Sequence, residues 1–579
     1  MTARYAIGLD VGDGESSIAW VPADSHPSER AQPFERTPGE VSIVSAYAQR
    51  ADDDAYLIGD EALLSDEVIR IQVNFKNRPK LSTDGVAQPM LAPFFAQLFW
   101  LEFQARHPDV ANDCTIHVGC PAGWNAGEIA LYQAQLEANL KPRTVTVVPE
   151  SQSAFLYVHD SAGVNPALRP VLVVDVGSST TDFTLVDVDD QSVNLGFGDG
   201  LGCRDIDQAM RDAIIESLPV SDRALLRNNR SASKLLLWLC RRWKEAAFGG
   251  ATPQRPKGQT EHQQLVLRTC WDALSAFNVP RLVDHQWRPR LRGELVALRQ
   301  HLSPPQLPRL ILTTGGGSRM PLVDELCHEI FPSVDINPAP EPSLAVARGL
   351  ASYGRWRHRV DVFRTKVANL ADSKDIDNTV RKDATRFARR FYESFYIHTP
   401  EIYLQLIDEV DAGADPAELF TLPALHSRFT SWLDTTEGAA ARTKILGPLE
   451  RVIGNELTPH AAKLCRELGL DSAVLTVSIR LPAGLSVKAR QPWVDKFLNM
   501  TFELGGATYM KTRLGRSYMR VSSHGMRAIR PLETAMAPLP AMMFKLDEIQ
   551  LKDLAIAIRG EVRSQLVERV RPIERLLAT

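Results

Sequence analysis

At 579 residues the chain exceeds what one hydrophobic core sustains, so roughly two to four domains are expected. A net charge of −4, with 44% hydrophobic and 23% charged residues, excludes a global field that would draw nucleic acid and leaves any basic function to local patches. Seven scattered cysteines without a CxxC spacing argue against a disulfide framework or a zinc centre and for a reducing compartment. With no apolar run of about 18 residues and no basic, apolar leader at Met1, a cytoplasmic protein without a membrane segment is expected.

The first element, Ile7–Val21 (IGLDVGDGESSIAWV), reads as a strand ending at Asp10, a turn through Gly12, Asp13 and Gly14, and a second strand. Ala23–Gly39 follows as a loop. Ala92–Arg106 carries apolar residues round most of its circumference and is predicted as a packed helix. Thr115–Val118 reads as a strand, Ala126–Leu140 as a helix and Val145–Val148 as a strand that runs into Pro149 and Glu150. This alternation argues for an α/β lobe. The unit VLVVDVGSSTTDFTLVDV at Val171–Val188 repeats the opening pattern: Asp175 stands to Asp10, and Gly177 to Gly12, at one offset of 165 residues. An almost wholly apolar strand should be covered on both faces. Beyond it, Gly177, Ser178, Ser179 and Thr180 form a small-residue turn whose main-chain N–H groups can face an anion. Two such turns at domain-sized spacing suggest two similar lobes, each offering a hairpin to one cleft.

Asp205–Leu218, Ser233–Phe248 and much of Leu265–Leu302 are predicted helical, with a Gly/Pro/Gln-rich connection at Gly249–Thr260. Leu310–Thr313 is a short buried strand that enters Gly315, Gly316 and Gly317. Pro321 then opens a helix with Leu322, Val323, Leu326 and Ile330 on one face, as the fixed φ of proline favours. A glycine turn entering a helix lets a ligand approach the backbone. No G-K-[ST] occurs, so it is not a Walker loop, and Met320 occupies the third glycine position of a dinucleotide fingerprint.

Taken together, IGLDVGDGES, VVDVGSSTTDF and LTTGGGSRMPLV, in this order, resemble the ATPase domain of the actin and seventy-kilodalton heat-shock chaperone superfamily. CPAGWN at Cys120–Asn125, VVPESQSAFLY at Val147–Tyr157, GLGCRDID at Gly200–Asp207 and EPSLAVARGLA at Glu341–Ala351 add to the resemblance, which spans residues 1–357. It implies a duplicated, two-lobed actin-like fold (lobe I about 1–168, lobe II about 169–357) that binds ATP and Mg²⁺ in a central cleft. By position, Asp10 and Asp175 would hold the metal through water. The amides of Gly12, Asp13, Gly14, Gly177, Ser178 and Ser179, with Gly202, would hold phosphates. Glu150 and Thr180 would lie near the γ-phosphate, with Asp182 orienting the attacking water and Lys76 as the catalytic lysine. Gly315, Gly316, Gly317, Ser318 and Arg319 would pack on adenosine, beside Arg241 and Lys244. The sequence departs from the family where Asp13 and Gly14 replace the usual two threonines, where Arg241 replaces a glutamate and where Cys203 replaces a glycine. The DVGDG spacing resembles actin-like plasmid-segregation ATPases.

From about Trp356 the resemblance stops, and 358–579 is expected to be a mainly helical α+β domain. A short apolar linker at Val360–Phe363 resembles the chaperone linker. Asp372–Leu470 reads as helical, with Phe387, Phe391 and Phe395 as core. Val474–Arg480 and Met500–Tyr509 read as strands, and Lys545–Val570 as a helix with Leu554, Ile558, Val562 and Leu566 on one face. Lys511, Arg513, Arg516, Arg520, Arg527 and Arg530, with Tyr518 among them, form an acid-free patch that a nucleic acid could contact, although solvated surface is the reading favoured here. The expected function is a slowly hydrolysing, ATP-driven switch whose C-terminal domain binds and releases a protein partner. A scaffold with negligible turnover and an actin-like filament former remain the alternatives.

Overall fold

The computed structural model describes residues 3–574 except 51–52, 54, 66–67, 83, 85–86, 141–143, 163–169, 187–191, 196, 199, 250–252, 254, 256–259, 486–511, 515, 518–519 and 522–543. The chain divides into two compact units, Met1–Arg359 and Val360–Leu577. No helix is long and apolar enough to cross a membrane.

The first unit is mixed α/β and holds two sheets of matching order. In one, strand Tyr5–Val11 pairs antiparallel with Glu15–Pro22 and parallel with Cys114–Cys120, which in turn pairs parallel with Val145–Pro149. In the other, Val171–Val176 pairs antiparallel with Thr181–Val186 and parallel with Leu310–Thr314, which pairs parallel with Asp335–Pro338. A further short antiparallel strand flanks each hairpin, Gln32–Pro33 in the first sheet and Ser192–Asn194 in the second. A separate three-stranded sheet is built from Ala46–Arg50, Tyr56–Ile58 and Val68–Val73.

Strand periodicity explains how the sheets are covered. Leu172, Val174 and Val176 face a core shared with helices Arg204–Ser217 and Arg230–Ala247, whereas Val171 and Val173 face Ala154, Phe155, Leu312 and Ala345. Successive side chains of a strand point to opposite faces, so an unbroken apolar run suits a strand buried on both. Ile7, Leu9 and Val11 likewise pack on Phe95, Phe99 and Trp100 of helix Leu91–Arg106. Behind them, Ala6, Ala19 and Val21 meet Ala347 and Ala351 of helix Pro342–Ala371. That approach is very close. A Cβ on Gly8 would lie 1.9 Å from the Ala347 carbonyl oxygen, and one on Gly349 would lie 1.7 Å from that of Ser153.

The second unit is helical, and no strand occurs among its described residues. Helices Lys374–Asp411, Leu422–Leu433, Ala439–Glu467 and Glu548–Glu574 carry it. Phe387, Phe391 and Phe395 are fully buried, as expected of core. Three expectations need correction or fall outside. Val360–Phe363 is not a linker but lies within helix Pro342–Ala371, because Val360, Phe363 and Val367 recur at helical spacing and are buried. Val474–Arg480 is not a strand. The carbonyls of Thr476 and Ser478 are capped by Arg569, and Arg480 exchanges two hydrogen bonds with Gln565, so helical side chains replace a partner strand. Met500–Tyr509 lies outside the described residues, as do Lys511, Tyr518, Arg527 and Arg530. Within the basic patch, Arg516 is paired with Asp411 and Arg520 with Asp408 and Asp411, which compensates two of its charges.

Candidate functional site

The two hairpins end in equivalent turns. The Gly12 N–H donates to the Glu15 carbonyl at 3.1 Å, and the Gly177 N–H donates to that of Thr180 at 2.9 Å. Asp10 lies opposite Ser17 and Asp175 opposite Asp182, the same register in both hairpins. Past each glycine the backbone leaves donors unused. Among the described residues, the amides of Asp13, Gly14, Ser178 and Ser179 have no acceptor. The turns also face each other, since a Cβ on Gly14 would lie 2.9 Å from that of Ser178. Unpaired amides converging from two turns make a concavity suited to an anion.

Acids surround these turns. Burial and the charge of Glu150 push Asp10 up to about 7, against the opposing pull of Lys76. Asp175 is buried and held well above the usual carboxylate range, first by burial and then by the charges of Glu150, Asp182 and Asp10. Carboxylates that raise one another in this way lie within electrostatic reach of one another. Neither the Asp10 nor the Asp175 carboxylate has a hydrogen-bond or ion-pair partner among the described residues. Thr180 Oγ1 donates to Asp182 at 3.1 Å.

Lys76 enters just after strand Val68–Val73, where Asn74 adopts a φ of 54°, a left-handed turn that asparagine tolerates better than most residues. Its ammonium is ion-paired with Glu150 and reaches the Gly119 carbonyl at 3.4 Å. Burial opposes its charge, but Glu150, Tyr132 and Asp10 outweigh burial and raise its pKa. Asp13 does not point a bare carboxylate at the turns. One oxygen accepts from the Lys76 N–H at 2.8 Å and the other from the Arg204 guanidinium at 3.1 Å. Its pKa is nonetheless raised, because burial outweighs these two partners.

The glycine turn packs against the second hairpin. Gly315 has φ 79° and ψ 155°, and a Cβ there would lie 2.3 Å from Asp175 Oδ1. At Gly317 it would meet Cys203 Sγ at 2.4 Å, and at Gly202 the Ser178 carbonyl at 2.3 Å. The absent side chains thus admit the hairpin tip itself. Gly316 is open on its Cβ side. Ser318 Oγ donates to the Gly315 carbonyl at 2.8 Å, and Arg319 donates to Ser343 Oγ at 3.3 Å.

Arg241 and Lys244, expected beside adenosine, both hold protein groups. Arg241 donates to the Gly14 carbonyl and pairs with Glu15 at 2.9 Å and Glu245 at 2.7 Å. Lys244 pairs with Asp207 at 2.8 Å and donates to the Cys203 carbonyl at 3.1 Å. Arg204, Lys234 and Trp238 are not singled out by sequence. Trp238 Nε1 donates to Asp60 at 3.2 Å, and Lys234 donates to the Ile71 carbonyl. These residues line a crevice with Asp13, Gly14 and Ser178, about 490 Å³ with its solvent-open mouth included. The RDID run next to Gly202 is the only available signal for Arg204, and its partner lies 191 positions away. No known protein-family model matches the chain.

Proposed function

We propose that residues 1–359 form an ATPase domain of the actin and heat-shock chaperone type, binding Mg–ATP between its two hairpins, and that the helical second unit responds to nucleotide by binding or releasing a protein partner. The observation that carries this reading is the pair of equivalent turns, facing each other with four unpaired amides beside Asp10 and Asp175. The matching strand order of the two sheets supports a duplicated, two-lobed fold. The seven cysteines are buried and none is joined in a disulfide, which accords with a reducing cytoplasm.

The donor set suits Mg²⁺. Asp10, Glu150, Asp175 and Asp182 sit near one lysine, and two of these acids lack any counter-charge in contact. A hard, oxygen-preferring cation matches such a set. Bound there by Asp10 and Asp175, the metal would supply charge neutralisation for the polyphosphate. The protein's own part is positioning and electrostatics. Amides of Asp13, Gly14, Ser178 and Ser179 cradle phosphate oxygens. Glu150 keeps Lys76 ionised at the edge of the cradle. Asp182, held by Thr180, orients a water. Slow turnover is favoured over brisk hydrolysis, because Arg241 and Arg204 tie the first turn to the other lobe.

Calorimetric titration with Mg–ATP tests the reading. Asp10→Asn and Asp175→Asn should each weaken binding by at least about tenfold, the loss of one charge-assisted contact. Unchanged affinity in both variants overturns it.

A further inference from the structure

Arg204 is placed between the two turns in a way that the proposed cradle does not require. Its own N–H donates to the Ser178 carbonyl at 2.9 Å, so its backbone is fixed to the second turn. Its guanidinium crosses to the first turn and donates one hydrogen bond, from Nη1, to Asp13 Oδ2 at 3.1 Å. Asp13 is held in place from the other side by the Lys76 N–H at 2.8 Å. The two partners differ sharply in exposure: the Asp13 side chain is 2% exposed and that of Arg204 39%. The carboxylate is therefore a fixed post, whereas the guanidinium faces the crevice with donors to spare. A guanidinium has five N–H donors in a planar fork and binds phosphate through two at once. The unpaired amides of Ser178 and Ser179 belong to the turn that anchors Arg204.

Building on the nucleotide reading, we propose that Arg204 contacts the terminal phosphate of ATP, and that Asp13 is the resting counter-anion from which the guanidinium transfers when that phosphate arrives. A terminal phosphate carries more charge than the single carboxylate and offers two oxygens to the fork. ADP lacks it and leaves Arg204 on Asp13. The pair thus discriminates triphosphate from diphosphate.

A static cross-lobe clasp makes a different prediction, so the two are separable by sign. The full chain is titrated with Mg–ATP and Mg–ADP by calorimetry, as wild type, Arg204→Gln and Asp13→Asn. The amide introduced by Asp13→Asn keeps an acceptor for the Lys76 N–H while releasing the guanidinium. Arg204→Gln should weaken ATP on the order of tenfold or more, the range of one charged hydrogen bond, and leave ADP within about twofold. Asp13→Asn should tighten ATP several-fold, and by more than it changes ADP. If both variants shift both nucleotides in the same direction, or if Arg204→Gln leaves ATP unchanged, the transfer is refuted while ATP binding stands. If the wild type binds neither nucleotide, the nucleotide reading fails and this inference with it.

Discussion

Gly315 offers the sharpest test of how the glycine turn supports the site. Its φ of 79° and ψ of 155° lie in a region that is essentially glycine-only, where a side chain costs about 1–3 kcal/mol. In Gly315→Ala the new Cβ would also fall 2.3 Å from Asp175 Oδ1 and 2.5 Å from the Val176 carbonyl. Neither can withdraw cheaply, since one ends a fully buried strand and the other is backbone, so overpacking adds about 1–3 kcal/mol. The expected total is about 2–6 kcal/mol, a large share of the net stability of about 5–15 kcal/mol usual for a folded domain. The neighbouring Gly316 is the internal control. Nothing lies within 4 Å of its Cβ position, so Gly316→Ala should stay within about 0.5 kcal/mol of wild type. Urea unfolding of the full chain, followed by circular dichroism, measures both through the midpoint and slope. Equal effects at the two positions, or a Gly315→Ala loss below about 0.5 kcal/mol, would refute the claim that this turn is closed onto Asp175.

The charge inventory of the crevice makes a second prediction. Lys76 and Glu150 have side chains only 5% and 18% exposed, and removing one partner of a buried pair typically costs about 3–5 kcal/mol. Lys76 is the cation among several acids, so Lys76→Met should destabilise clearly more than Glu150→Gln, measured by urea unfolding in EDTA; the reverse order would contradict the assignment. A third concerns pH. His117 is buried, and burial together with the charge of Arg357 pushes its pKa down to about 4 from 6.5. The fold therefore favours neutral imidazole, and the unfolded chain binds more protons in this range. Stability is intact above about pH 6.5 and falls as pH drops toward 4, by up to about 3 kcal/mol. His117→Gln should flatten that segment of the stability profile, and an unaltered slope would count against it.

The parts of the fold legible in sequence are those whose signal is local or repeated. Val171–Val176 marks a doubly covered strand through an unbroken apolar run, and the repeated Asp-x-Gly marks two equivalent turns without any knowledge of pairing. Phe387, Phe391 and Phe395 declare a buried helical face by spacing alone. The failures have physical causes as well. Val360–Phe363 resembles a linker because four residues are too few to expose a helical period, which emerges only when Val367 is added. Val474–Arg480 alternates like a strand, but alternation reports burial of every second residue and not who satisfies the backbone. Here Gln565 and Arg569 do so. The partners of Arg204 and Arg241 lie about 190 and 230 positions away, and nothing in local pattern encodes such pairs.

The acid at position 13 illustrates what the three-dimensional pairing adds. From sequence, a carboxylate in a phosphate-binding turn is an objection, because like charge beside a polyphosphate repels. In the fold, four acids around the two turns each meet a donor: Asp13 meets Arg204 and the Lys76 amide, Glu15 meets Arg241, Glu150 meets Lys76, and Asp182 accepts from Thr180. Asp10 and Asp175 are the exceptions among the described residues. Both are pushed upward by burial and by their neighbours' charges, the cost expected of acids set close together without a counter-ion. A cation shared by these two would remove that cost in both at once. The objection raised by Asp13 thus becomes an argument for where the proposed metal would sit, because compensating the other acids leaves this pair for it to join.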